Sequence, residues 1–146
     1  METEVLIEKL KVVLASAFSL YLKSHNYHWN VTGPNFKQYH DFFSDYYENT
    51  FEAIDDYAEH IRALNSFTPG SLKRFSELSV ISDELSIPSP NFMFVRLGQD
   101  NERFLAELRE AHGMAEQLKQ IGVASFLEDR IDFHEKMQWQ ITSFTE

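Results

Sequence analysis

The chain has 146 residues, 43 % of them hydrophobic, and a formal net charge of −10 at pH 7. This length suits one domain, residues 1–146, with a single core. The absence of cysteine excludes disulfides, thiolate zinc sites and iron–sulfur clusters. The negative charge argues against non-specific DNA binding, which depends on Lys and Arg contacts with phosphates. It fits either simple solubility or a surface that gathers cations.

The N-terminal sequence and the apolar runs bear on localisation. No apolar run approaches the roughly 18 residues that a membrane-spanning helix needs. The segment METEVLIE contains three Glu, whereas a signal peptide begins with basic residues followed by an apolar stretch. We therefore expect a cytoplasmic protein without a membrane partner.

The first two long helices are predicted from apolar periodicity. Over residues 3–28 apolar side chains recur at steps of four and three, which is typical of a buried helical face: Leu6, Leu10, Val13, Ala17 and Leu20. Gly33 and Pro34 follow as breakers. The second helix is predicted over residues 35–65, with Asn35 as N-cap and the Pro-Gly pair of SFTPGS as its breaker.

A short helix over residues 71–80 and the loop SDELSIPSPN are predicted to precede two further long helices. The third covers residues 91–119 and has a predicted inner stripe of Phe94, Leu97, Phe104, Leu108, Ala111, Ala115 and Leu118. The fourth covers residues 123–144, with Phe126, Phe133, Met137, Ile141 and Phe144 inside. Gly122 is expected to form the tight junction between these two helices.

The connections between the four long helices are short, long and short. A bundle with one long crossover between its second and third helices is the ferritin-like arrangement. The predicted fold class is therefore all-α: a ferritin-like four-helix bundle with a short extra helix in that crossover.

One face of the second helix carries residues suited to metal binding. At 100° per residue, His40, Glu48, Asp55 and Glu59 lie within an arc of about 100°. Asp55 and Glu59 form a like-charge pair one turn apart, which is mildly destabilising on an exposed helix unless a cation lies between them. Imidazoles with carboxylates suit Fe(II), Mn(II) or Zn(II). The alternative is an ordinary solvated acidic face.

Helix geometry prevents these residues from forming one site in a single chain. His40 and Asp55 are separated by roughly 22 Å along the helix. The chain also lacks the Glu-x-x-His motif that di-iron bundles use. A two-fold dimer with antiparallel second helices would bring His40 of one chain to Asp55 and Glu59 of the other. His28, at the end of the first helix, would be able to join that cluster.

Several segments resemble the signature of the Dps family (DNA-binding proteins from starved cells), which are mini-ferritins. These segments are NYHWNVTGPNFKQYHDFF, AIDDYAEHIRALN, TPGSL and DRIDFHEKMQW. The resemblance covers nearly the whole chain. It implies hollow dodecamers that oxidise Fe(II), typically with hydrogen peroxide, at centres between two subunits, and that store ferric mineral inside. It therefore implies iron as the bound metal.

The resemblance also implies roles for individual residues. Carried over by position, His28 and His40 of one chain and Asp55 and Glu59 of its partner are both metal ligands and catalytic residues. Glu59 would bridge two metal positions. The family pattern has a further carboxylate at the position that Ser44 occupies here.

Ser44 leaves two interpretations open. Asp45, rotated by about 100°, or Glu48, one turn further on, would compensate for the missing carboxylate. Otherwise the protein would be a structural cage with weakened chemistry. A nucleoid-binding protein is a third class, which the charge and the absence of a Lys/Arg-rich tail argue against. We therefore predict no direct DNA binding.

Other residues have a plain and a functional interpretation. Trp29 is expected to be a packing residue first, although the resemblance also implies an electron donor beside the site. An acidic group early in the fourth helix suits the helix dipole, whereas the resemblance implies an iron-entry pore: Glu128, Asp129 and Asp132. Four further histidines are expected at surfaces or interfaces rather than as ligands: His25, His60, His112 and His134.

Overall fold

A computed structural model describes residues 2–146. This part contains five α-helices and no strand: α1 (Thr3–Asn30), α2 (Phe36–Ala63), α3 (Leu72–Leu78), α4 (Pro90–Gln117) and α5 (Ile121–Phe144). Helix α1 packs against α2, α3 and α4, and α4 packs against α5. The predicted all-α bundle, with a short helix in the crossover between the second and third long helices, is confirmed. Residues 2–146 include no helix that combines the length and apolar character needed to cross a bilayer.

Helix α2 ends earlier than predicted. Asn65 adopts a left-handed φ of 66°, and the Ser66 N–H donates to the Ile61 carbonyl at 3.3 Å. This is the hydrogen-bond pattern of a helix-ending Schellman motif, in which Asn sometimes replaces Gly. The helix therefore stops at Ala63, ahead of the Pro-Gly pair that was expected to break it.

The junction between α4 and α5 is formed by a different residue from the one predicted. Lys119 has a left-handed φ of 58°, and the Gln120 N–H donates to the Ala115 carbonyl at 2.8 Å. Helix α5 then begins at Ile121, so Gly122 lies inside the helix. The prediction was wrong because it assigned the turn to the nearest glycine, whereas the Schellman bonds hold a lysine in that conformation.

The core lies between the four long helices. The α1 stripe is confirmed as buried, and so is the α4 stripe except for the half-buried Leu118. In α5, Met137 and Ile141 are buried, but Phe126 and Phe133 are only half-buried and Phe144 is 37 % exposed. Helix α5 therefore faces the core through a neighbouring set of residues: Val123, Ala124, Leu127 and His134.

The bundle interior contains a polar network around His134. The expectation of a surface position was wrong, because this side chain is 0 % exposed. Asn101 Oδ1 accepts hydrogen bonds from His134 Nδ1 at 2.7 Å and from the Tyr46 hydroxyl at 2.8 Å. The Asn101 amide group donates to the His134 carbonyl and to Gln138 Oε1. Burial, and then the charge of Arg130, lowers the pKa of His134 well below its usual value, so the imidazole is neutral.

A buried ion pair joins α1 to α4. Lys23 Nζ lies 2.7 Å from Asp100 Oδ2, and the two side chains are only 8 % and 6 % exposed. The other oxygen of Asp100 accepts a hydrogen bond from Arg103 Nη1 at 2.8 Å. The buried carboxylate therefore has two cationic partners.

A second polar contact holds the long crossover against the bundle. Glu84, in the crossover, accepts hydrogen bonds from the Tyr27 hydroxyl at 2.7 Å and from Arg96 at 2.9 Å. Desolvation alone would raise the pKa of Glu84, but the bonds from Tyr27, Arg96 and Ser86 lower it to about 2. Glu84 thereby connects the crossover to α1 and α4.

Candidate metal centre

The first candidate ligands lie on either side of the turn between α1 and α2. His28 is in the last turn of α1, and His40 follows in the second turn of α2. Gly33 reverses the chain between them with a φ of 110°, a conformation that residues with a Cβ rarely adopt. Asn35 occupies the N-cap position of α2 as predicted, but its side chain donates to the Tyr39 hydroxyl at 3.3 Å instead of capping the helix.

The turn brings the two imidazoles into a stacked pair. The ring centroids of His28 and His40 lie 3.6 Å apart, with an interplanar angle of 21°. The Nδ1 of His28 contacts the backbone carbonyl of His40 at 2.8 Å, and the Nδ1 of His40 contacts the carbonyl of His28 at 2.7 Å. Each histidine therefore binds the backbone of the other. We call these two residues the imidazole pair.

The hydrogen bonds determine the tautomer of both rings. A carbonyl oxygen only accepts hydrogen bonds, so each Nδ1 carries a proton and donates it. In the neutral ring, each Nε2 then carries the free lone pair. Metal-binding histidines use this arrangement, in which a carbonyl holds one nitrogen while the other binds the metal. The imidazole pair is therefore prepared to bind cations through two Nε2 atoms.

The predicted carboxylates lie on the exposed surface of α2. Asp55 and Glu59 are both exposed and stand one turn apart. The charge of Asp55, together with its hydrogen bond, raises the pKa of Glu59. The two groups are thus close enough for their negative charges to oppose each other. We call them the carboxylate pair, and a divalent cation between them would relieve the repulsion.

A single chain does not bring the imidazole pair and the carboxylate pair together. Helix α2 continues without a break from Phe36 to Ala63. The axial distance between His40 and Asp55 therefore remains roughly 22 Å. The two pairs are therefore separate within one chain, and their combination into a metal site across a dimer stays a prediction.

The position of the missing carboxylate has its own hydrogen bond. Ser44 is half-buried and its hydroxyl donates to Oε1 of Glu48 at 3.2 Å. Asp45, the next residue, is exposed. Its Cα–Cβ bond is rotated by about 100° around the helix from that of Ser44.

Aromatic rings surround the imidazole pair. His25 lies between Trp29 and Tyr47, with centroid distances of 3.8 Å to each ring. Its Nδ1 forms a 3.1 Å hydrogen bond with the Tyr21 hydroxyl. Burial, and then the charge of His28, lowers the pKa of His25. Trp29 packs one face on His25 and is still 58 % exposed, so it is a packing residue in part and has surface available for a partner.

A different group was missed by sequence reasoning. His112 Nε2 lies 2.7 Å from Glu128 Oε2, and His112 Nδ1 lies 3.6 Å from Glu116 Oε1. Within residues 2–146, these three side chains are the group whose ligand atoms are close enough to hold one metal ion. The i, i+4 spacing of His112 and Glu116 is visible in the sequence. Their contact with Glu128 depends on the register set by the Lys119 turn. The proposed pore of Glu128, Asp129 and Asp132 stays a prediction.

Comparisons with known proteins place the chain in a family. The family model of the ferritin-like domain matches residues 7–146. An uncharacterised low temperature-induced protein of Nostoc is 32 % identical over 142 residues, covering 96 % of this chain and 79 % of that protein. The DNA protection during starvation protein of Brevibacillus brevis is 29 % identical, covering 87 % and 85 % of the two chains.

Solved structures agree with these sequence matches. A Dps protein from Bacillus brevis superposes with a TM-score of 0.95 at 27 % identity and full coverage of both chains. Antigen TpF1 from Treponema pallidum has a TM-score of 0.95 at 26 % identity, covering 98 % of this chain and 92 % of that one. The helical topology and the family match together define a ferritin-like protein. Within that class, the chain belongs to the Dps family.

Proposed function

We propose that the protein is an iron-sequestering mini-ferritin. It oxidises Fe(II) with hydrogen peroxide at centres between two subunits and stores ferric mineral inside a dodecameric cage. The observation that carries this proposal is the imidazole pair, because its two Nδ1–carbonyl bonds leave both Nε2 atoms free for a metal. Kinship with the Dps proteins supports it.

The proposed centre combines the half-sites of two subunits. Fe(II) at the first position is bound by His28 of one chain and by Asp55 and Glu59 of the partner subunit. Fe(II) at the second position is bound by His40, and Glu59 of the partner subunit bridges the two. This assignment gives the repelling carboxylate pair a cationic counter-charge.

The paired arrangement determines the chemistry. Hydrogen peroxide accepts one electron from each of two Fe(II) ions, its O–O bond breaks, and two protons complete two water molecules. Because the two Fe(II) ions of one centre supply both electrons to the same peroxide molecule, no hydroxyl radical is released. The Fe(III) products then hydrolyse and form mineral on acidic inner surfaces. Iron is the substrate of this reaction, and the side chains of the protein position it and supply negative charge.

Anaerobic titration with Fe(II), followed by peroxide, tests this proposal. We expect tight binding of two Fe(II) per chain and fast oxidation with one peroxide consumed per two Fe(II). Asp55→Asn should reduce both binding and rate. Asp56→Asn is the matched control, because Asp56 is also exposed but is rotated by about 100° around α2.

The result also separates the ferroxidase from its alternative. If the assembled protein binds no Fe(II) tightly and Asp55→Asn changes nothing, the protein is a structural cage without this chemistry. Size-exclusion chromatography with light scattering measures the oligomer, and a particle other than twelve chains would contradict the proposed assembly.

A further inference from the structure

We propose that Glu48 supplies the carboxylate of the second metal position and that Ser44 is the residue that positions it. This inference rests on the proposed ferroxidase centre and adds a ligand to it. In the Dps pattern a carboxylate stands at the position of Ser44, and in this chain Glu48 replaces it as the ligand.

The hydrogen bond between the two side chains carries the argument. The Ser44 hydroxyl donates to Oε1 of Glu48 at 3.2 Å. This bond occupies one carboxylate oxygen and leaves Oε2 free for a cation. A bound carboxylate that is itself held by a neighbouring donor is the usual arrangement around metal ions in proteins. Ser44 therefore orients a carboxylate although it lacks one.

The same bond shortens the distance that Glu48 has to cover. The Cα atoms of His40 and Glu48 are separated by about 12 Å along α2, whereas Ser44 is only about 6 Å from His40. Helical side chains project toward the N-terminus of their helix. The bond to Ser44 shows that Glu48 does so, because its carboxylate lies beside a residue one turn nearer to His40.

The electrostatic surroundings agree with this placement. Burial and the charge of His28 lower the pKa of His25, while the charge of Glu48 opposes them. The Glu48 carboxylate therefore acts electrostatically on His25, which lies beside His28 of the imidazole pair. Glu48 is exposed on α2, so a divalent cation would reach it without disturbing the core.

The second position needs the charge of a carboxylate, and geometry decides whether Glu48 or Asp45 supplies it. Without such a carboxylate, the second position has one imidazole and a share of one bridging carboxylate, which is little negative charge to hold Fe(II). Glu48 lies within about 40° of Ser44 around the helix, whereas Asp45 is rotated by about 100°. The structure assigns the role to Glu48 because the hydrogen bond from Ser44 already directs its side chain.

The test is an anaerobic titration of the assembled protein with Co(II), followed by calorimetry and by the visible absorption of bound Co(II). At the proposed ferroxidase centre, we expect two Co(II) per chain for the unmodified protein and one for Glu48→Gln. Ser44→Ala should weaken the second binding event by about tenfold or more, while the first event stays unchanged. Asp45→Asn is the matched control and should retain two.

Rescue distinguishes a ligand from a residue that only contributes charge at a distance. The double variant Ser44→Asp, Glu48→Gln places a carboxylate at the position of the family pattern and should restore two Co(II) per chain.

The inference is overturned if Glu48→Gln binds two Co(II) with unchanged affinity, or if Asp45→Asn loses the same binding event. The ferroxidase proposal fails differently: the unmodified protein would bind no Co(II), or Asp55→Asn would not affect the first event.

Discussion

The Lys23–Asp100 ion pair leads to an asymmetric prediction. Both groups are almost fully buried, and removing one partner of such a pair costs about 3–5 kcal/mol in unfolding free energy. In Lys23→Met, the Asp100 carboxylate still has Arg103 at 2.8 Å, so we expect a loss of about 3 kcal/mol. In Asp100→Asn, a buried ammonium loses its counter-charge, so the loss should be nearer to about 5 kcal/mol.

Urea unfolding at a fixed chain concentration measures these losses, because oligomers gain stability by mass action. The double variant should lose at least about 2 kcal/mol less than the sum of the single losses, since neither group is then left alone. Lys37→Met is the control: its pair with Asp41 is exposed, so it should cost less than about 1 kcal/mol. Equal losses for the two single variants, or additive ones, would refute the reasoning.

Three further outcomes are expected. Because the pKa of His134 is lowered in the folded state, the stability that depends on its neutral imidazole is fully present above about pH 6.5 and falls by up to about 1.4 kcal/mol per pH unit below it. His134→Gln should therefore flatten the decline of the urea midpoint between pH 6.5 and 5, and an unchanged slope would contradict the assignment. In Glu84 the folded state favours the charged form, and its folded pKa of about 2 means that its contribution to stability is present above about pH 4.5 and is lost as the pH falls toward 2. Glu84→Gln should therefore remove this acid-dependent part of the urea midpoint, and a variant that retains it would exclude Glu84 as the source. Gly33→Ala should destabilise the protein by about 1–2 kcal/mol because Gly33 has a φ of 110°, whereas Gly113→Ala, at an exposed position of α4, should stabilise it by about 0.5–1 kcal/mol. Thermal unfolding midpoints that shift in the same direction for both variants would contradict the backbone argument.

The long helices and the shared face of α2 were predictable because both follow from the helical period. Apolar spacing placed the four long helices to within a few residues, and the rotation of 100° per residue placed His40, Asp55 and Glu59 on one face of α2. The same geometry predicted that one chain cannot join them. Local periodicity is sufficient for these conclusions.

The turns and the interior were harder to predict. Asn65 and Lys119 adopt left-handed conformations that hydrogen bonds impose. Neither residue type predicts such a turn from the sequence as strongly as glycine does. His134 was misplaced because its burial depends on Asn101 of another helix, a partner that no local pattern reveals. The sequence likewise left open whether Asp45 or Glu48 compensates for Ser44, because the hydrogen bond between Ser44 and Glu48 depends on side-chain conformation.

The imidazole pair has a consequence for assembly at low protein concentration. Only a short stretch of chain separates its two histidines, so closing the turn costs little entropy and the pair forms with the α1–α2 hairpin of an isolated chain. In the proposed centre, the carboxylate pair arrives only by collision with a second chain. Dilution would therefore leave the histidines in place, while the population of complete centres falls at least with the square of the free-chain concentration.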